Sequence, residues 1–302
     1  MTSLILCLIV LGTEPEASLL KPGAVIQKLW GEGSFTEGGA WTGDALLFSD
    51  IGNRIMKFDP KTNKVTAWRD PSGRANGMIY DSRGRLIVAE GANTGGSRRV
   101  SRTDPDGKIH SVVDQFEGKK FNSPNDVAVD KLGRIYVSDP RYVGTEPREL
   151  DFEAVFRIDT DGSVHRLKTS AQKPNGLVIS PDGKTIYIAD NGASRRVLLA
   201  VELDGKGDAV SERLFHDFGK GRGIDGMTIT VDGRVVATSA KDGNPGIVVF
   251  SPNGKIIGFI PTPETPANCE FGGSDRSTLY ISAGTGLYRI ETTMKGFALW
   301  PN

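Results

Sequence analysis

Hydrophobic and polar residues alternate along this chain in short bursts. From Asn175 the run "NGLVISPDGKTIYIAD" sets two groups of Val, Ile, Leu and Tyr on either side of a Pro-Asp-Gly turn. Alternation over five or six residues, bounded by Gly, Asp and Asn, predicts a β-hairpin and not a helix. The same grammar returns at Asn76 ("NGMIYDSRGRLIVAEG"), Asn125 ("NDVAVDKLGRIYVSDP") and Asp225 ("DGMTITVDGRVVATSA"), so the four starts lie 49, 50 and 50 residues apart. A further copy, "NCEFGGSDRSTLYISA", begins 43 residues later at Asn268, and another, "EGGAWTGDALLFSD", begins at Glu37, 39 residues before Asn76.

Each copy pairs a short strand with a second one that ends on an acidic or small residue: Asp50, Glu90, Asp139, Asp190, Ala240 and Ala283. A third strand follows, as in "NRIMKFD" or "RRVLLAVEL", and several copies add a fourth after another turn, as in "PDGKIHSVV". Four strands in a unit of roughly 40–50 residues is the signature of a propeller blade. Six copies predict an all-β chain folded as a six-bladed β-propeller. The last copy lacks a fourth strand, which "AVIQKLW", Ala24 to Trp30, supplies from the other end of the chain to close the ring. Two stacked β-sandwiches would not explain so even a period. With no Pro/Ser linker to divide it, the chain reads as one domain over residues 19–302.

A propeller sets equivalent positions on a ring about its axis. Residues just ahead of the innermost strands therefore converge on one mouth of the central channel. In that register stand Glu37, Asn76, Asn125, Asn175, Asp225 and Asn268, and all six carry a side-chain oxygen. Turn chemistry accounts for an Asn or Asp at one such place but poorly for Glu37. A hard divalent cation accounts for the set, because calcium, magnesium and manganese take carboxylate and amide oxygens. Glu37 and Asp225 balance its charge, while Asn125 and Asn175 add neutral oxygens. Register alone does not say which members bind, since residues across the ring from one another cannot share one ion.

Composition narrows the classes of partner. Lys plus Arg and Asp plus Glu both number 37, for a formal net charge of zero over 302 residues. Such a chain has no overall attraction to nucleic acid or anionic lipid. The two cysteines, Cys7 and Cys269, cannot build a thiolate zinc cluster. Leu4 to Leu11 is an apolar run too short to span a bilayer but long enough for the core of a signal peptide. Residues 1–18 are read as a leader, with the expectation of a periplasmic or secreted protein; without cleavage the expectation is cytoplasmic. No segment reaches membrane-spanning length.

The motifs "TEGGAW", "ANGM", "KKFNSPNDVAVDKLGRIYVSDPRY", "KPNGLVISPDGKTIYIAD", "GIDGMTITVDGRV" and "NCEFGGSDRSTLYISAGTGLYRI" cover nearly the whole chain after about residue 30. Together they resemble the gluconolactonase branch of the regucalcin (senescence marker protein) and gluconolactonase family. The resemblance implies a six-bladed propeller with one divalent metal in its channel: Ca2+ first, with Mg2+, Mn2+ or Zn2+ as alternatives. The family's metal-binding Glu falls on Glu37, its Asn of P-N-G on Asn175 and its Asp of D-G on Asp225. Its N-D motif, beside the metal and the substrate, falls on Asn125 and Asp126. "TEGGAW" departs from the pattern, with Gly39 where Pro is usual. The implied reaction is hydrolysis of a sugar lactone, typically D-glucono-1,5-lactone, with other lactones and phosphotriesters as alternatives on this fold.

The residues themselves favour metal-assisted hydrolysis over other chemistry. His110, His165 and His216 fall on outer strands, away from the ring register. No GxSxG elbow and no P-loop is present. Asp225 is the expected general base by resemblance, with Asp126, Glu146 and Glu149 as alternatives, because contact with a metal lowers a carboxylate's basicity. Asn76, Asn125, Asp126 and Arg141 are expected at the substrate, with Tyr142 beside Arg141 on a long loop also able to meet sugar hydroxyls; the alternative for Arg141 is a surface loop held by Arg–Glu pairs. Asn76 and Asn268 serve either the substrate or only the order of the ring. A reading of a different class is a binding propeller that uses the ring for a structural cation and its loops for a protein.

Overall fold

A computed structural model describes residues 18–93, 95–241 and 243–301. Residues 1–17, on which most of the expected leader falls, lie outside the described residues. Those that are described form strands, turns and loops with no helix among them. Six four-stranded antiparallel sheets follow one another around the ring. Blades 1 to 5 span residues 36–69, 75–113, 127–166, 174–217 and 227–261, each built from four consecutive strands.

Blade 6 has three strands from residues 266–291 and takes its outermost strand from Gln27–Trp30. That segment pairs antiparallel with Gly286–Glu291, Gln27 opposite Arg289 and Lys28 opposite Tyr288. The expected closure is therefore present. It joins the two ends of the domain in one sheet, so neither end of the ring can open without breaking blade 6.

The core is divided into six seams, one between each pair of neighbouring blades. Between blades 2 and 3, Ile87, Val100, Val127, Val137 and Phe156 pack together. Between blades 6 and 1, Trp41, Phe48 and Phe58 meet Tyr280 and Leu287, with Trp30 of the closing strand beside them. The second strand of a blade is buried on both faces, as in Leu46–Asp50, Leu86–Glu90 and Ile135–Asp139. Such strands read as apolar runs, whereas outer strands such as Lys64–Arg69 face water and alternate.

The acid that ends four of these buried strands is fully covered: Asp50, Glu90, Asp139 and Asp190 are each 0% exposed. Three of them close the entry to their own blade. Asp50 accepts the backbone N–H groups of Ser34 and Phe35, Asp139 those of Asn122 and Ser123, and Asp190 those of Gln172 and Lys173. Glu90 instead pairs with Arg69 and Arg99. Backbone donors in a buried loop need acceptors. Here one carboxylate serves two, which stand three and two residues ahead of Glu37, Asn125 and Asn175. At the matching places in blades 5 and 6 stand Ala240 and Ala283, which have no such group.

Candidate active site at the channel mouth

The ring residues sit where the inner strands are irregular. The pairing of first and second strands slips between Glu37 and Ala40, between Ala75 and Met78, and between Pro174 and Leu177. A bulge re-aims a side chain that would otherwise follow the pleat. In blades 3 and 5 the inner strand starts only at Val127 and Met227, leaving Asn125 and Asp225 just ahead of it. The glycines that follow ring residues are explained by close approach. A Cβ on Gly77 would collide with Asp126 of the next blade, and one on Gly176 with the Asp225 carbonyl. Instead, Gly77 N–H donates to Asn125 O (2.7 Å) and Gly176 N–H to Asp225 O (2.8 Å). Asn-Gly here is therefore an inter-blade joint as well as a local turn. Hydroxyls on the second strands complete it: Ser49 donates to Asn76 O (2.6 Å), and Thr238 accepts from the Asp225 N–H (3.1 Å).

Five of the six ring residues line one cleft of about 520 Å³: Glu37, Asn76, Asn125, Asn175 and Asp225. The sixth, Asn268, stands deeper. Its amide nitrogen donates to Glu37 Oε2 (3.3 Å) and its carbonyl accepts the Cys269 N–H (2.8 Å), so it orients Glu37 from behind. Glu37 Oε2 also takes the Gly38 N–H at 3.0 Å. Burial, and then the charge of Asp225, push the Glu37 carboxyl well above the usual carboxylate range. Burial also raises Asp225, against the opposing pull of Arg222 and Asn175. Two carboxylates that act on one another in this way, one buried and one partly exposed, resist ionising together, and a divalent cation relieves that conflict.

The donor set fits a hard cation. Asn175 Nδ2 donates to Asp225 Oδ1 at 2.8 Å, which commits its amide nitrogen and leaves its oxygen free of that bond. Asn125 presents a second amide to the same cleft. Among the described residues, no group of three or more His, Cys, Asp and Glu is placed to hold a metal. The ring offers two carboxylates and two amides instead, an all-oxygen set suited to calcium or magnesium more than to zinc. Arg222 was missed in the sequence. Its guanidinium stands 3.4 Å from Asp225 Oδ2, and only its place three residues ahead of Asp225 could have signalled it.

Other expected contributors lie elsewhere. Arg141 does not line the cleft. Its side chain is 8% exposed and its donors are spent on Asn122 O (2.7 and 3.0 Å) and Glu146 O (3.0 Å). It clamps the 140–150 loop, and the expected substrate contact is corrected to that role. Asp126 stands behind Asn125, facing an inner cavity, with its carboxylate accepting the N–H groups of Val127 and Leu177 (both 2.9 Å). Burial pushes it up to about 7. It ties blade 3 to blade 4 and does not border the cleft where substrate contact was expected. Glu146 accepts the Asn93 N–H and Glu149 the Lys120 N–H, both at 2.8 Å, and neither lines the cleft. His110 and His165 pair with Asp104 and Asp159, and His216 packs on Phe218 and Phe250, all on fourth strands.

What the loop does bring to the cleft is Tyr142, with Val143 beside it. Lys173 Nζ lies 4.6 Å from the Tyr142 ring centre. The phenol reaches Asn191 and Asn175, and burial raises its pKa. Phe35, Ile51, Arg74 and Ala92 form other parts of the wall. Of the cleft-lining loop residues only Tyr142 carries a sequence signal, as the neighbour of Arg141 on a long loop; Phe35, Ile51, Arg74 and Ala92 carry none.

Comparison with known proteins agrees with this architecture. Residues 35–285 match the SMP-30/Gluconolactonase/LRE-like region family. The chain is 31% identical to a gluconolactonase of Zymomonas mobilis, over 92% of this chain and 84% of that protein. A solved gluconolactonase structure from Xanthomonas campestris superposes with a TM-score of 0.81 at 30% identity, covering 91% of this chain and 92% of that one. A regucalcin from Agrobacterium tumefaciens, described as a calcium-binding protein, shares the fold at 17% identity, with a TM-score of 0.72 and coverage of 88% and 93%. The chain belongs to the SMP-30/gluconolactonase family.

Proposed function

We propose that this chain is a lactone hydrolase acting on sugar lactones, D-glucono-1,5-lactone among them, with one divalent cation held by Glu37, Asn125, Asn175 and Asp225. The observation that carries the reading is the convergence of two carboxylates, Glu37 buried and Asp225 partly exposed, and two amides in a single open cleft. The gluconolactonases of Zymomonas and Xanthomonas support the activity, and the calcium-binding regucalcin supports calcium as the first choice.

The cation, when bound, supplies Lewis acidity for charge that develops on the lactone carbonyl oxygen. The chain's own residues do the rest. Asn175 fixes Asp225 through the 2.8 Å bond to Oδ1, which leaves Oδ2, 3.4 Å from Arg222, for the reacting water. Asp225 Oδ2 takes a proton from the attacking water as the new carbon–oxygen bond forms. It returns a proton to the ring oxygen as the acyl–oxygen bond breaks, giving the open hydroxy acid. Asn76, on the wall of the same cleft, offers an amide to substrate hydroxyls.

The test is acid release from glucono-1,5-lactone, followed with chelator and then after readdition of calcium, magnesium, manganese or zinc. The expected result is a rate above spontaneous hydrolysis that chelator removes and a divalent salt restores. Cation binding without turnover on any lactone would return the chain to the binding-propeller class.

A further inference from the structure

The cleft has two chemistries. Its floor is the polar ring, but much of its rim is apolar: Phe35, Ile51, Ala92, Tyr142 and Val143. Phe35, Tyr142 and Val143 are 39%, 44% and 55% exposed. Singly exposed apolar side chains are ordinary, whereas several gathered on the rim of one cleft mark a binding surface. The other large exposed apolar residues, such as Val25, Trp68 and Leu132, lie outside this cleft.

These side chains are held in place. The Phe35 N–H donates to Asp50 Oδ1 (3.3 Å) and its carbonyl accepts the Ile51 N–H (3.0 Å), which fixes it two residues ahead of Glu37. Tyr142 and Val143 follow Arg141, whose guanidinium is locked onto Asn122 O and Glu146 O, and Lys173 sits over the Tyr142 ring. A volume of about 520 Å³ lies in the range of pockets for drug-sized ligands, roughly 300–1,000 Å³, more than one small sugar ring requires.

A polyhydroxy lactone suits the floor but wastes this wall, because hydroxyls set against Phe35 and Val143 lose water without gaining a partner. An alkyl chain gains from the same surface. Resting on the lactonase reading above, we infer that the site also hydrolyses lactones carrying an alkyl substituent, with the ring on the polar floor and the chain along Phe35, Tyr142 and Val143. The bond changes are those of the sugar substrate. Water adds to the carbonyl carbon, the acyl–oxygen bond breaks, and a water proton passes to the departing ring oxygen, leaving a hydroxy acid with the chain intact.

The test measures kcat/KM for a series of γ- and δ-lactones of increasing alkyl length, with glucono-1,5-lactone alongside, for the metal-loaded enzyme and the double variant Phe35→Ser/Val143→Ser. Both substituted residues are exposed, and thermal melting checks that the variant folds. The expected result is a rise of up to about fourfold per methylene over the first few carbons, the value of fully burying one. In the double variant that slope is flattened. Hydrolysis of gluconolactone with no rise along the series, or a slope unchanged in the variant, overturns this inference and leaves the lactonase reading standing. No metal-dependent turnover of any lactone overturns both.

Discussion

The two ends of the central channel are built from the same six inner strands and come out opposite in character. At the mouth, Glu37, Asn76, Asn125, Asn175 and Asp225 open on a cleft. Toward the floor, the same strands continue as Ala40, Ile79, Val129, Ile179 and Ile229 around an inner cavity of about 70 Å³. The C-terminal segment stoppers that end: Phe297, Leu299 and Trp300 line it, the Trp300 ring lies 4.6 Å from that of Tyr80, and Arg276 Nη2 holds Trp300 O at 2.9 Å. Asp126 and Asp225 show the difference on single residues. Asp126 spends its oxygens on the N–H groups of Val127, next in its own blade, and Leu177 of the neighbouring blade, while Asp225 keeps one face toward the cleft. Both ends hold carboxylates at a cost, but at the inner end Asp126 binds two blades together in return, whereas at the mouth Glu37 and Asp225 stand against each other.

The largest effect expected from that contrast is at Asp225. Asp225→Asn removes a charge from the ring while keeping the shape. Partners one layer behind a metal ligand typically change affinity or activity by about 10–100-fold. A ligand that is also the base should exceed that, so activity falls by more than about 100-fold and cation affinity falls with it. In chelator the same variant melts at or above the wild-type temperature, because the crowding of Glu37 by Asp225 is gone. Wild-type-like turnover and cation affinity would remove Asp225 from both roles. A large loss of melting temperature in chelator would break the contrast between the two ends.

The next effect belongs to the acids that brace the mouth from behind. Asp139 accepts the N–H groups of Asn122 (2.7 Å) and Ser123 (2.6 Å), three and two residues ahead of Asn125. Asp139→Ala strands both donors in a buried place, at about 1–3 kcal/mol each. Denaturant unfolding should show that loss, and calorimetry should show weaker cation binding, since Asn125 no longer has a fixed approach. Asn at this position, which keeps one acceptor oxygen, should fall between. Unchanged stability in the alanine variant would mean that the paired N–H groups find other acceptors and that the brace is incidental.

This brace also marks where the sequence stops being legible. The period, the six blades, the closing strand and the ring register can all be read from spacing, because each is a local pattern repeated. Four buried acids at strand ends are visible too, but the N–H groups that three of them hold are 15 to 18 residues away and have no local signature. Arg141 reads in the sequence either as a substrate contact or as the clamp of its own loop, because a loop arginine near a site has nothing to mark its partners. Its partners are two backbone carbonyls of its own loop and the one before it. The place of Gly176 is plain in "PNG", yet its reason is the Asp225 carbonyl of the next blade, one whole repeat away. Contacts between blades join residues about 50 positions apart, and no pattern within one blade reports them.

The smallest effect is at the floor, where Glu270 faces the inner cavity. Its place depends on Gly39, the position where the family resemblance leads one to expect Pro: a Cβ there would stand 3.0 Å from Glu270 Cβ. Burial, partly offset by Arg276, the Phe271 N–H and Thr228, pushes the Glu270 carboxyl up to about 7 from an ordinary 4.5. The native state therefore keeps a proton that the unfolded chain has already released, and between pH 4.5 and 7 stability falls as pH rises. Below 4.5 both states are protonated and this contribution is fully present. At about 1.36 kcal/mol per pH unit, the loss is at most roughly 3 kcal/mol. Glu270→Gln keeps the shape and cannot ionise, so its unfolding free energy should decline less across that window than the wild type's, with lactone turnover within about twofold. A parallel pH dependence in both proteins would show that Glu270 is ionised in its cavity. A loss of turnover matching that of Asp225→Asn would show that the floor takes part in the chemistry of the mouth.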